Sequence, residues 1–174
     1  MIELLRQRRS IRRYLDRPIE PEKVELLKEA VLRAPSSRNI DPWEFVFVDE
    51  RVSLERLARC KPHGASFLAQ AALGIVVCGD STASDVWIED CSIASILVQM
   101  TAQSLGLGSC WIQVRNRTHD DQKSAGQYVQ DLLGIPEHLK VESIVAMGYP
   151  AETREPVPRE RLKVTKVRTG TYQS

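Results

Sequence analysis

Two short basic segments near opposite ends of the sequence carry donors that suit a phosphate group. The first is Arg8-Arg9-Ser10-Ile11-Arg12, and the second is Arg159-Glu160-Arg161-Leu162. In the first, guanidinium groups four residues apart and one hydroxyl offer forked, charge-assisted hydrogen bonds and a short neutral donor. The second could return positive charge to the same anion. Taken alone, each segment is also typical of a solvated basic turn or tail.

A stiff polar loop follows a helical pattern between residues 34 and 43, with the sequence APSSRNIDPW. The hydroxyls of Ser36 and Ser37 and the amide of Asn39 could bind the polar edge of a planar ring. The two prolines restrict the loop, which lowers the entropic cost of binding a ligand. The same residue types also build ordinary helix-to-strand turns. The loop by itself leaves both interpretations open.

A glycine-containing segment, LGLGSCWIQ, spans residues 105–113. Glycines at 106 and 108 allow the backbone to pass close to a flat ligand. The segment follows a helix and precedes a strand, the reverse of the order that a dinucleotide-binding fingerprint needs. Either glycine would also serve as an ordinary helix C-cap.

Other site chemistries find little support in the sequence. A metal site or a hydrolase triad is not expected, since no Gly-x-Ser-x-Gly or Cys-x-x-Cys motif occurs. The histidines and cysteines are scattered: His63, His119, His138, Cys60, Cys78, Cys91 and Cys110. Without an evident catalytic side chain, we expect a bound cofactor to perform the chemistry.

Length, composition and charge limit the class of protein. The 174 residues fit one domain over 1–174, and 43% hydrophobic residues are enough for a core. With 24 basic and 23 acidic residues, the net charge of +1 argues against nucleic acid or an anionic membrane as the main partner. No apolar signal segment follows Met1, and no run is long enough to span a membrane, so we expect a cytoplasmic protein.

Hydrophobic periodicity indicates strands mixed with helices, which gives an α+β or α/β three-layer domain. Strands are predicted at 43–48, 73–78, 110–114 and 141–147. Helices are predicted at 2–8, from Pro21 to Pro35, from Ser53 as N-cap to Leu57, at 86–105 and at 120–133.

The helix at 86–105 is apolar on nearly every side, so it must be buried on nearly every side. A domain of this size can surround it only if a partner chain covers one face, which predicts an oligomer. The tail from Thr153 is charged and poor in core residues, and it either frays or lies across a neighbour.

The four segments, in this order and at these separations, resemble the FMN-dependent nitroreductase family over nearly the whole chain, from Ile2 to about Leu162. The resemblance implies an α+β, nitroreductase-like three-layer domain with a mixed sheet flanked by helices. It also implies an intertwined homodimer in which an extended C-terminal arm, about 153–174, lies on the partner.

The resemblance assigns cofactor contacts residue by residue. The two basic segments are expected to hold the phosphate and ribityl chain of FMN through Arg8, Arg9, Ser10, Arg12, Arg159 and Arg161. The stiff loop would come from the other subunit, with Pro35, Ser36, Ser37 and Asn39. The strand after the glycines would lie against the ring and offer a backbone N–H to flavin N5, from Trp111, Ile112 and Gln113.

Two departures from the family pattern bear on function. Asp41 stands where the family often has Gln, and a carboxylate near the ring would lower the flavin potential. Only residues 79–85 separate the strand predicted at 73–78 from the long helix, where larger members insert a flap, so we expect a more open pocket.

The implied activity is an NADH- or NADPH-dependent FMN oxidoreductase that reduces small acceptors of the nitroaromatic, quinone or enone type by a ping-pong mechanism. An alternative is a non-catalytic protein that binds or delivers FMN. A small anion- or nucleic-acid-binding domain is a third interpretation, against which the near-zero net charge argues.

Overall fold

Helices and strands are interspersed along the chain in the computed structural model, which describes residues 1–172. The strands are β1 Trp43–Val48, β2 Leu73–Asp80, β3 Gly108–Gln113 and β4 Leu139–Gly148. The α-helices are α1 Ile2–Gln7, α2 Pro21–Leu32, α3 Arg51–Leu57, α4 Trp87–Ser104 and α5 Ala125–Leu133. Short 3₁₀ turns lie at Ser37–Asn39, Ser66–Gln70, Arg159–Arg161 and Val164–Lys166.

The four strands form one sheet in the order β1-β2-β4-β3, and all three ladders are antiparallel. The sheet was expected to be mixed. Within residues 1–172, parallel pairing is limited to an isolated bridge between Ser10 and Ser109. The N-terminal segment therefore extends the sheet beyond β3 without forming a further strand there.

Helices cover both faces of the sheet, which confirms the predicted α+β three-layer arrangement. The alternation of strand side chains divides the core in two. On one face, α2 and α4 pack on Ile75, Val145 and Met147. On the other face, α3 and α5 cover Val76 and Ile144. The register shifts between Val77 and Cys78, a β-bulge in the β2–β4 ladder.

The long helix α4 agrees with the prediction for residues 86–105. Its sheet-facing side is fully buried, with Cys91, Ala94 and Val98 at 0% exposure, whereas Ile93 and Ile96 remain 40% and 41% exposed. In this chain the helix is thus covered on one side and leaves an apolar stripe on the other.

Two helix starts differ from the predictions. Ser53 was expected to cap α3, but the N-cap is Glu50, and the Ser53 hydroxyl inside the helix donates to the Glu50 carboxylate. The helix predicted from Asp120 begins at Ala125. Ser124 caps it through a reciprocal capping box with Gln127, which fixes the start more firmly than the preceding acidic residues do.

None of the helices within residues 1–172 combines the length and the hydropathy that a membrane span requires.

Candidate functional site

The N-terminal basic segment docks along β3. The backbone N–H of Ile11 donates to the carbonyl of Ser109 at 3.0 Å, next to the Ser10–Ser109 bridge. A Cβ atom on Gly108 would lie 2.8 Å from the side chain of Ile11, so this approach requires glycine. The first and third predicted segments therefore lie side by side.

The outer edge of β3 is where a ligand can find free backbone donors. The carbonyls of Ser109 and Gln113 point away from β4, since they accept from Ile11 and from the Lys61 ammonium. Because alternate residues of an antiparallel strand bond to its partner, the N–H of Trp111 points to the same open edge.

Ile112 does not belong to that edge. By the same alternation its backbone groups face β4, and its side chain is fully buried in the core. Of the three residues predicted on this strand, the structure therefore leaves Trp111 and Gln113 to face a ligand.

Gln113 joins several groups at the end of β3. Its side-chain carbonyl accepts from the Trp111 indole at 3.0 Å, and its amide donates to the carbonyl of Arg115 at 3.0 Å. The ammonium of Lys61 donates to its backbone carbonyl at 2.7 Å. Burial, with the nearby Arg117 charge contributing, lowers the pKa of Lys61. No motif in the sequence pointed to Lys61, which lies 52 positions from Gln113.

The positive charges of the N-terminal segment influence a residue of β3, Cys110. Burial raises the pKa of the Cys110 thiol, and the positive charges of Arg12 and Arg8 and a hydrogen bond with Ser10 oppose that rise. The predicted Arg8, Ser10 and Arg12 therefore lie within electrostatic reach of β3.

Glu152 is a site neighbour that sequence reasoning missed. Its carboxylate accepts from the Arg12 backbone N–H at 2.6 Å and from the Arg154 side chain at 2.9 Å. These hydrogen bonds, the one from Arg12 foremost, lower the pKa of Glu152. Its carboxylate thus fixes the end of the basic segment.

The tail returns to the N-terminal segment. The Arg9 guanidinium donates to the backbone carbonyl of Glu155. Arg9 and Arg161 line one cleft of about 490 Å³, and Arg8 and Arg159 line an adjacent groove. The structure thus brings the first and fourth predicted segments together.

These arginines carry unneutralised charge. Within residues 1–172, no ion pair with a carboxylate involves any of the five predicted arginines, which are Arg8, Arg9, Arg12, Arg159 and Arg161. Several other arginines are paired, Arg17 with Glu20 at 2.6 Å among them. Unpaired guanidinium groups that line shared clefts are a suitable site for an anion.

The stiff loop is ordered by its own polar groups. The Ser36 hydroxyl donates to the Asp41 carboxylate at 2.5 Å, and the Asp41 N–H donates back to the Ser36 oxygen at 2.9 Å. The Ser37 N–H donates to the buried Asp90 at 2.9 Å. Asn39 and Asp41 adopt φ values of 55° and 52°, a left-handed conformation that Asn and Asp tolerate better than most residues. Pro35 and Asn39 are exposed.

This loop lies far from the other three segments within one chain. It leads into β1, at one edge of the sheet, whereas β3 forms the opposite edge. Strands β2 and β4 intervene, so three strand spacings separate the edges, about 14 Å. Within one chain, therefore, the basic segments lie beside β3, and the stiff loop lies at the β1 edge of the sheet.

Among residues 1–172, no group of three or more His, Cys, Asp or Glu residues is arranged to hold a metal ion.

Comparison with known proteins identifies the family. The model of the Nitroreductase family matches residues 5–63 and 57–149. The chain belongs to the nitroreductase family. A putative NADH dehydrogenase/NAD(P)H nitroreductase of Archaeoglobus fulgidus is 37% identical over 158 residues, which cover 88% of this chain and 87% of that protein. The resemblance seen in the sequence is confirmed.

A solved member of the nitroreductase family has nearly the same fold. The FMN-dependent nitroreductase from Clostridium difficile R20291 is 43% identical and superposes with a TM-score of 0.97, over 99% of this chain and 100% of that one. An FMN reductase [NAD(P)H] of Bacillus subtilis is 26% identical over 91% of this chain and 69% of its own length. These relatives are oxidoreductases, so this nitroreductase-family chain is an oxidoreductase.

Proposed function

We propose that the chain binds FMN and passes electrons from NADH or NADPH to a small organic acceptor of the nitroaromatic, quinone or enone type, in ping-pong order. The observation that carries this proposal is the docking of the N-terminal basic segment along β3, with Arg159 and Arg161 of the tail lining clefts beside Arg8 and Arg9. The names of the family relatives supply the flavin and the coenzymes as the matching chemistry.

The donor set fits FMN in kind and in layout. A phosphate monoester requires cations and short donors. Arg8, Arg9 and the Ser10 hydroxyl supply them in the segment that docks on β3, and Arg161 lines the cleft beside Arg9. A planar ring requires donors along one edge, which the free N–H groups of β3 supply.

Bound FMN would supply the hydride transfer. The chain itself would hold and orient FMN. The arginines would bind its phosphate, and Trp111 and Gln113 would face the edge of its ring. Arg12 and Lys61 place positive charge beside the same strand, which favours negative charge that develops there. No side chain is assigned as a catalytic acid or base.

A second copy of the chain would complete the site. The stiff loop with Pro35, Ser36, Ser37 and Asn39 cannot reach β3 within its own chain, so we assign it to the partner's flavin. The exposed Ile93 and Ile96 of α4 offer an apolar face for that partner. Beyond the arginines that line the clefts, residues 163 to 172 of the tail are exposed throughout, as an arm that lies on a neighbour would be before assembly.

Asp41 is proposed to lower the flavin potential. Its carboxylate is exposed and is held by Ser36 in the loop that would border the ring. Asp41→Asn removes the charge and keeps an oxygen acceptor, so the measured midpoint potential of bound FMN is expected to rise. An unchanged potential would show that Asp41 does not act on the flavin electrostatically.

Anaerobic reduction separates an enzyme from a flavin carrier. The purified protein is expected to show the visible spectrum of oxidised flavin and to lose its colour on addition of NADH or NADPH. A later addition of a quinone should restore the colour. A yellow protein that resists both coenzymes and releases FMN readily would support the non-catalytic alternative, and a protein that takes up no FMN would contradict the proposal.

A further inference from the structure

The stiff loop is held in a strained backbone conformation. Arg38, Asn39 and Asp41 adopt φ values of 54°, 55° and 52°. Three residues within four positions, none of them glycine, thus lie in the left-handed region, which costs conformational free energy. Such a shape persists only where neighbouring groups hold it. The contacts that hold the loop therefore decide whether its side chains are presented to a ligand.

Two of these contacts lie at the surface. Ser36 and Asp41 bond to each other within the loop. Arg38 pairs with Asp85, and the side chains of this pair are 62% and 78% exposed. Ion pairs between exposed groups contribute little, because water competes for both partners. These two contacts alone are a weak support for a strained backbone.

The third contact is buried. Asp90, in the first turn of α4, is 3% exposed, and its carboxylate accepts from the backbone N–H of Ser37 at 2.9 Å. The second oxygen of that carboxylate is buried too and has no hydrogen-bond donor among residues 1–172. A buried carboxylate with so few donors adds little to folding, because desolvation opposes its hydrogen bond. The bond to Ser37 is thus better explained by the loop than by folding.

The helix that carries Asp90 also carries the apolar face offered to a second copy. Ile93 lies three residues beyond Asp90, about one turn, and Ile96 lies about one turn further. Their exposures are 40% and 41%. Because a helix is rigid, a loop bonded to its first turn is fixed relative to whatever packs on the same helix. Asp90 is therefore placed to set the loop against a partner chain.

We propose that Asp90 is a positioning residue, which holds the stiff loop in the conformation that binds the flavin of the partner subunit. This inference rests on the proposed function, since that function assigns the loop to the FMN of the other chain. Asp90 acts through the backbone of Ser37 and sets where the side chains of Ser37 and Asn39 lie, rather than binding the ligand itself.

Substitutions of Asp90 test the hydrogen bond. Asp90→Ala removes the acceptor, and we expect the affinity of cofactor-free protein for FMN to fall about tenfold or more. Asp90→Asn keeps an oxygen that accepts from Ser37, so the affinity should return to within about threefold of the wild type. Glu89→Ala, at an exposed position in the same helical turn, is the control. No recovery in Asp90→Asn, or an equal loss in Glu89→Ala, would overturn the inference.

Ser37→Pro serves if Asp90→Ala does not fold. Ser37 begins a 3₁₀ turn, whose φ suits proline, and Ser36 before it is extended, at φ −133° and ψ 158°. The substitution removes the N–H that donates to Asp90. Ser37→Ala lacks the hydroxyl but keeps that N–H, so it is the matched control. Equal FMN affinities for these two variants would contradict the role of the hydrogen bond.

Mixed dimers show which flavin Asp90 serves. Paired with a chain that carries Arg9→Gln and Arg161→Gln, the Asp90→Ala chain should restore one tight FMN site, because its arginines meet the intact loop of the other chain. Paired with a chain that carries Ser37→Ala and Asn39→Ala, it should restore none. A residue that merely supports the fold of its own chain would fail in both pairings, and that result, or recovery in the second pairing, counts against the proposal.

Hydrogen exchange keeps the inference separate from the flavin. In FMN-free protein, Asp90→Ala should speed amide exchange in the peptide that spans residues 36–41, and Asp90→Asn should leave it near the wild type. Unchanged exchange in Asp90→Ala overturns the inference even where the wild type binds FMN, and the proposed function then stands. Faster exchange in Asp90→Ala, with no uptake of FMN by the wild type, supports Asp90 as the anchor of the loop and rejects the proposed function.

Discussion

Arg161 lines the same cleft as Arg9, and its guanidinium group has no carboxylate partner among the residues that the structure describes. Arg161→Gln is therefore expected to weaken FMN binding by about tenfold or more, because a charge-assisted hydrogen bond contributes roughly 1.5–3 kcal/mol. Fluorescence titration of FMN into cofactor-free protein measures the change. Lys163→Gln, an exposed charge in the same arm, is the control, and equal affinities for the two variants would remove Arg161 from the site.

Glu142 allows a pH prediction. Burial raises the pKa of its carboxyl. A carboxyl with a raised folded-state pKa favours folding below its unfolded pKa of about 4.3, and this contribution is lost as pH rises through the folded-state value. Glu142→Gln keeps an acceptor for Ser92 and cannot ionise. The free energy of unfolding of the wild type should therefore fall relative to that of the variant as pH rises.

Urea unfolding in buffers from mildly acidic to mildly alkaline measures this divergence. Glu160→Gln, at an exposed position, separates the effect of burial from the loss of one charge. Parallel pH profiles for wild type and Glu142→Gln would show that burial does not disfavour the ionised carboxyl.

Site residues could be predicted from the sequence only where they lie inside one of the recognised motifs. The basic segments, the stiff loop and the glycine-containing segment were recognised because residue type and spacing lie in the sequence itself. Lys61 and Glu152 reach the site across 52 and 140 positions, and no local pattern encodes such contacts. Ile112 is buried because successive side chains of a strand point to opposite faces, and the sequence did not show which residues of β3 face the core.

At the level of elements, local signals located the strands well and the helix starts less well. Each predicted strand core reappears in the sheet, since a buried β-branched run has few alternatives. The start of α5 was predicted too early because acidic residues at 120 and 121 imitate a first turn. The reciprocal hydrogen bonds of Ser124 and Gln127 set the boundary instead.

The assignment of Ser124 as the N-cap of α5 can be tested by measuring the free energy of unfolding. Ser124→Ala removes the hydroxyl that accepts from the Gln127 N–H and should cost about 1 kcal/mol of unfolding free energy. Ser53→Ala, inside α3, should be nearly neutral, because Ser53 is not a cap and alanine is the better helix former. Urea unfolding compares the two. Equal losses would contradict the assignment of Ser124 as the N-cap.

At the level of the whole molecule, the three-layer fold could be predicted and the sheet topology could not. Alternating patterns of strands and helices define the layers. The order β1-β2-β4-β3 depends on pairings between distant segments, and so does the separation of the stiff loop from β3. That separation makes a two-chain site the central claim.

Mixed dimers test that claim most directly. One chain carries Arg9→Gln and Arg161→Gln, the other carries Ser37→Ala and Asn39→Ala, and distinct tags allow the mixed dimer to be purified. If each site combines the arginines of one chain with the loop of the other, the mixed dimer has one intact site and binds FMN, whereas neither parent does so tightly. If the mixed dimer binds no more FMN than its parents, the site does not combine residues from two chains.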